Sequence, residues 1–204
     1  MTLPWLLMLT DRSQLPPGRS LPEQIGEAVR GGVRAVVLRE RDLRPDERSR
    51  LAADIATLLE PVEGVLIAAS PAVSSAAGVH LRSNQDLPDE RPTLLGRSCH
   101  TAADLGRART ERIDYVVLGP VATTASKPGY GPALERTGLS RLLDKSPGPY
   151  VYALGGVTAA NAAQWLGAGA DGVAVMGELM RTRDPAALTR DLLHAVRPAR
   201  TLHD

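Results

Sequence analysis

The sequence predicts a single (β/α)8 barrel of the α/β class, and three observations carry the prediction. Short apolar runs alternate from end to end with amphipathic stretches of helical length, which is how parallel strands with crossover helices read. Eight such runs fit into 204 residues with no low-complexity tract or interdomain linker. Two of the last runs end in glycine: Tyr152-Ala153-Leu154-Gly155-Gly156-Val157, then Gly169-Ala170-Asp171-Gly172-Val173-Ala174-Val175-Met176-Gly177. Residues 1–204 therefore read as one barrel domain whose polar end, 198–204, frays. A doubly wound open sheet is the alternative for the same alternation.

Taken in order, the strands are expected at Trp5–Thr10, Ala35–Arg39, Gly64–Ala68, Gly78–Leu81, Leu94–Ser98, Tyr115–Gly119, Tyr150–Leu154 and Gly172–Met176. Each is a brief apolar run closed by a charge, a glycine or a proline, as a strand buried on both faces requires. The helices are expected at Leu21–Gly31, Pro45–Leu59, Ala72–Ala77, Ala102–Thr110, Gly138–Asp144, Ala159–Leu166 and Ala186–Val196. Val121–Thr137 is too long for a routine connection, and loops of that length in compact domains usually bind something. Arg82–Pro92 is a second, shorter loop of the same kind.

Composition narrows the function classes. A hydrophobic fraction of 43% and a net charge of +1 suit an ordinary globular domain, with no electrostatic case for nucleic acid or an anionic membrane. The single Cys99 excludes an intrachain disulfide and suits a reducing, cytoplasmic setting. Trp5-Leu6-Leu7-Met8-Leu9 is cut short by Asp11 and Arg12, so it reads as a buried strand rather than a leader or a membrane span. Lys127 and Lys145 are the only lysines, which singles out Lys127 in the long loop. A homo-oligomer is compatible with all of this.

The glycine-rich ends of the last two strands can turn several backbone N–H groups toward one point, as a bound phosphate needs. Taken singly, the same glycines would only make tight turns. Side chains alternate along a strand, so Val37, Arg39 and Arg41 share one face, and two guanidiniums at a barrel mouth make a strong anion site. Arg39-Glu40-Arg41-Asp42 reads equally as a solvated charge run. Ser98 and His100 share a face at the next-but-two strand end, while Cys99 points the other way, into packing. His80 closes its strand, and both His80 and His100 could move a proton near neutral pH or merely tie a neighbouring loop. Asp86 and Asp89 could bind a metal or cap a helix. No zinc spacing, catalytic serine motif or Walker loop occurs.

In order along the chain these pieces resemble the thiamine phosphate synthase and TenI-type thiazole tautomerase superfamily. The matching landmarks are Leu9-Thr10-Asp11-Arg12, Leu38-Arg39-Glu40-Arg41, Gly78-Val79-His80-Leu81 and Gly96-Arg97-Ser98-Cys99-His100. Asp114 to Val121, Thr123-Thr124-Ala125-Ser126-Lys127, Gly155-Gly156 and Gly169 to Ala174 complete the set. The resemblance implies a (β/α)8 fold and a thiazole phosphate held at Gly155, Gly156, Val175, Met176 and Gly177, with Thr124, Ala125 and Ser126 along the thiazole. It also implies that Arg39, Arg41, Ser98 and Lys127 match the grip on a pyrimidine pyrophosphate in the synthase.

Departures from the synthase pattern tilt the expectation toward the tautomerase. Val37 stands where the synthase has an amide, and Ala68-Ala69 where it has an Asn-Asp pair; Asp86 alone could serve a Mg²⁺ ion if the chain were a synthase. A tautomerase of carboxythiazole phosphate needs no metal or other cofactor, only a phosphate anchor and a proton shuttle, for which His100, His80 and Lys127 are the candidates. Its usual histidine is replaced by Pro120, which moves no proton. The expectation is thus a thiazole tautomerase first, a thiamine phosphate synthase second, and a non-catalytic thiazole phosphate-binding protein third.

Overall fold

The computed structural model describes residues 2–123, 133–143 and 148–197. Eight parallel strands close on themselves in sequence order: β1 (Leu6–Leu9), β2 (Ala35–Leu38), β3 (Val65–Ala69), β4 (Gly78–Leu81), β5 (Leu94–Cys99), β6 (Tyr115–Leu118), β7 (Tyr150–Leu154) and β8 (Gly172–Val175). Closure is made where β8 lies beside β1, with Leu6 opposite Val173 and Met8 opposite Val175. Around them run α1 (Leu21–Gly31), α2 (Pro45–Leu59), α3 (Ala102–Thr110), α4 (Glu135–Leu142), α5 (Ala162–Leu166), α6 (Gly177–Arg181) and α7 (Pro185–Val196). The (β/α)8 reading holds and the open sheet is excluded.

Strand alternation builds two cores. Leu7, Leu9, Ala35, Val37, Ile67, Val117 and Ala174 point into the barrel. Leu6, Met8, Val36, Leu38, Leu66 and Cys99 point outward under the helices, so Cys99 does pack. With no phenylalanine in the chain, the lumen is filled by Tyr115 and Tyr152, whose rings meet edge-on at 5.8 Å. Glycines make the room: a Cβ on Gly96 would lie 2.1 Å from Cζ of Tyr115.

Local chemistry explains the helix ends. Ser20 and Glu23 form a reciprocal capping box at the start of α1, and Gly32, at φ 117°, ends it in the left-handed region. α5 begins three residues later than the periodicity predicts, because Asn161 ties up the preceding turn: its Oδ1 accepts from the Thr158 amide (2.8 Å). α4 starts a turn before Gly138, and the expected end at Asp144 lies outside the described residues. The helix expected at Ala72–Ala77 does not form. Only eight residues join Ala69 to Gly78, and Pro71, Val73, Ser74 and Ser75 are poor helix formers, so the segment crosses as an irregular loop. The short α6 immediately after β8 was not expected.

Candidate active site: an anion-binding barrel mouth

A cavity of about 390 Å³ opens at the C-terminal ends of the strands, the end where barrel chemistry is built. Its walls bring together the loops after β2, β4, β5, β6, β7 and β8.

One wall is the glycine cup. Gly155 and Gly156 sit at φ 102° and 65°, and a Cβ on Gly156 would lie 2.5 Å from the Thr123 carbonyl oxygen, so both positions demand glycine. The turn is braced: the Ala122 amide donates to the Gly155 carbonyl (3.0 Å) and Asn161 Nδ2 to the Gly156 carbonyl (2.8 Å). The amides of Gly156 and Val157 donate to no described residue. Val175, Met176 and Gly177 line the adjoining wall, where β8 passes into α6.

The opposite wall is cationic. The run after β2 splits by parity as strand geometry demands: Glu40 and Asp42 turn outward and both pair with Arg12 (2.9 and 2.6 Å), while Arg39 and Arg41 face the cavity. Arg39 reaches across to the Met176 sulfur. Arg82, two residues past His80, joins them from the loop after β4. Arg41 is pushed below the ordinary guanidine range, by loss of solvent first and then by the like charges of Arg82, Arg39 and Arg48. Arg48 is buried on α2, donating to the carbonyls of Ala69 and Pro71 (2.8 Å to the latter).

Between these walls stand the histidines. His80 is buried, with Nδ1 3.0 Å from the Tyr115 hydroxyl and Nε2 2.9 Å from Ser98 Oγ. Burial first, then Arg41, Arg39 and Arg97, push it down to about 3, so its ring is neutral at physiological pH. His100 lines the rim, its Nδ1 2.5 Å from the Gly119 carbonyl and its amide held by Asp104 (2.8 Å).

With this geometry in place, similarity to known proteins decides the family. The family model described as "Thiamine monophosphate synthase" matches residues 6–179. The chain belongs to that family. It is 32% identical to a thiamine-phosphate synthase of Haloarcula marismortui, covering 96% of this chain and 99% of the other. It is 34% identical to a putative thiamine-phosphate synthase of Geobacter sulfurreducens, covering 96% and 95%. A thiamine phosphate pyrophosphorylase of Pyrococcus furiosus shares the fold at a TM-score of 0.80 with 24% identity, over 94% of each chain.

For this thiamine-biosynthesis barrel, the sequence-based site residues divide into three groups. Arg39, Arg41, Ser98, His80, His100, Gly155, Gly156, Val175, Met176 and Gly177 all line the one cavity. Thr124, Ala125, Ser126 and Lys127 lie outside the described residues. Asp86 does not reach the cavity: its carboxylate is exposed and pairs with Arg107 of α3 (3.2 Å). The Asp86 contribution to a Mg²⁺ site is thereby corrected: Arg97 holds the carbonyls of Arg82, Ser83 and Gln85, and the loop so fixed leaves the Asp86 side chain in solvent.

A hard divalent cation wants several oxygen ligands, commonly with one or two carboxylates among them. Ala68 and Ala69 bring no side-chain donors, and Glu178 at the rim is held by Arg181 (2.9 Å). Among the described residues no three His, Cys, Asp or Glu side chains group to hold a metal. Among the described residues the donor set does not fit Mg²⁺. The sequence reading overlooked Arg82, Asn161 and Arg48. Only Arg82 carried a signal, since it repeats the i, i+2 relation of Arg39 and Arg41 one strand-pair further round.

Proposed function

We propose that the protein is a thiamine phosphate synthase: it joins a pyrimidine carried as its pyrophosphate ester to a thiazole phosphate. The observation that carries this reading is a glycine turn and an arginine wall facing one cavity, which together could hold two anions. A synthase handles a phosphate and a pyrophosphate together, and its relatives' names point the same way. In the proposed reaction the pyrimidine methylene C–O bond breaks, its electron pair leaving with pyrophosphate. The thiazole nitrogen then donates its lone pair to the methylene carbon. Arg39 and Arg41 stabilise the charge that develops on the departing oxygens, in a site preorganised to receive it. The cup fixes the thiazole phosphate so that its nitrogen faces the carbon. No step is assigned to a metal.

The tautomerase favoured by the sequence becomes the second reading. The alanines at Ala68 and Ala69 still speak for it, but its proton shuttle is weak. His80 near 3 is a poor general base or acid at neutral pH, and both its nitrogens already have partners. His100 is the remaining histidine at the rim. The purified protein, given both synthase substrates with Mg²⁺ or with EDTA, should form thiamine phosphate. Turnover of carboxythiazole phosphate without any thiamine phosphate would overturn this in favour of the tautomerase. Thiazole phosphate bound without turnover of either substrate set would leave a binding protein.

A further inference from the structure

We propose that Arg82 is a third arm of the pyrophosphate site, and that the arginine wall it completes binds pyrophosphate with no divalent cation. The inference rests on the synthase reading for the identity of the anion, but its binding test does not.

The Arg82 main chain is held at both its amide and its carbonyl. Its amide donates to Gln85 Oε1 (3.3 Å), and its carbonyl accepts from Arg97 Nη1 (3.0 Å). Arg97 is fully buried and also holds the carbonyls of Ser83 (3.1 Å) and Gln85 (2.6 Å). Gln85 in turn donates to Ser70 Oγ (2.6 Å), so the loop after β4 is sewn to the loop after β3. A loop fixed this tightly keeps Arg82 at the cavity wall, with its side chain open to solvent. The guanidiniums of Arg82 and Arg41 nevertheless meet no acceptor among the described residues.

Arg41 and Arg82 line one cavity with their side chains open to solvent, and the charge of Arg82 acts on Arg41, so a polyanion bridging the two would be attracted by both. The buried charge of Arg48, behind the end of β3, adds to the same potential. Arg48 also donates to the carbonyl of Ala69, whose side chain offers no metal donor. Positive charge supplied by the chain thus lines and backs the cavity, and its field opposes entry of a free cation. Arginine forks suit the non-bridging oxygens of a pyrophosphate better than an ammonium would.

The test is calorimetric titration of the intact protein with inorganic pyrophosphate in EDTA, repeated with Mg²⁺. We expect binding in EDTA that Mg²⁺ does not tighten. Arg82→Gln should weaken it by about tenfold or more, the worth of one charge-assisted contact, and Arg82→Lys should recover part of the loss. Thiazole phosphate binding at the glycine cup should change less than about twofold in Arg82→Gln, which separates a local loss from a general one. Unchanged pyrophosphate affinity in Arg82→Gln, or wild-type binding seen only with Mg²⁺ or not at all, would overturn the proposal. Metal-free pyrophosphate binding without thiamine phosphate formation would leave this site standing while the synthase reading fails. Thiamine phosphate formation with Arg82→Gln binding like wild type would do the reverse.

Discussion

The His80 ring lies 2.9 Å from the Ser98 hydroxyl, with its other nitrogen on Tyr115, so a titratable residue from β4 is locked between two strands. The lock has a consequence for stability. In the unfolded chain His80 protonates near 6.5, whereas the folded ring resists protonation down to about 3. Between those values the unfolded state binds the extra proton, so stability contributed by this residue is whole above about 6.5 and is lost as pH falls toward 3. His80→Gln should remove about 1.4 kcal/mol per pH unit from the slope of stability against pH in that window. Urea unfolding of wild type and variant at pH 7, 6 and 5 checks it; parallel slopes would show that the ring titrates normally.

The cup at Gly156 tolerates no side chain. Its φ of 65° disfavours L-residues, and the Thr123 carbonyl stands where a Cβ would go. Gly156→Val should abolish thiazole phosphate binding, by more than about tenfold, while far-UV circular dichroism stays barrel-like. Isothermal titration at wild-type affinity would remove the cup from the site.

The lumen makes a separate prediction about folding. Gly96 and Tyr115 are neighbours across the β5–β6 pair, and the ring occupies the space a methyl group at Gly96 would need. Gly96→Ala should destabilise the barrel by about 1–3 kcal/mol, the usual penalty for overpacking a core. Pairing it with Tyr115→Leu, which vacates the position, should return part of that loss in a double-mutant cycle. Additive effects would mean that the ring can move aside.

Why the sequence revealed the barrel and only half of the site follows from how far each signal reaches. Strand positions were legible to within about two residues at each end because a buried run is a local pattern. The direction of Arg39 and Arg41 was legible because parity is local too. Arg97 and Arg48 were not, since they hold main-chain carbonyls of other loops, Arg97 pairing with Glu111 besides, and no side-chain pattern announces a carbonyl. The missing helix at Ala72–Ala77 was misread because three alanines outweighed Pro71 and the serines in a segment too short to nucleate. Asp86 stands out from its place after β4, but the hold of Arg97 on the loop's carbonyls leaves it in solvent beside Arg107.

That displacement of Asp86 yields the last prediction. If the reaction depended on a metal held by this carboxylate, Asp86→Asn would lower kcat/KM steeply and more so at limiting Mg²⁺. The structure instead gives the carboxylate an exposed position and a surface partner, Arg107, whose attraction is screened by solvent. Arg107 keeps Glu111 (2.6 Å) when Asp86 is neutralised, and the Gln85 carbonyl still holds to Arg97, so the loop loses only an outer tie. Asp86→Asn should therefore leave thiamine phosphate formation within about twofold of wild type at every Mg²⁺ concentration, since a solvated surface pair contributes little. Steady-state kinetics across a Mg²⁺ series decides it: a tenfold loss that excess Mg²⁺ restores would return Asp86 to the reaction and require its loop to close inward when substrate binds.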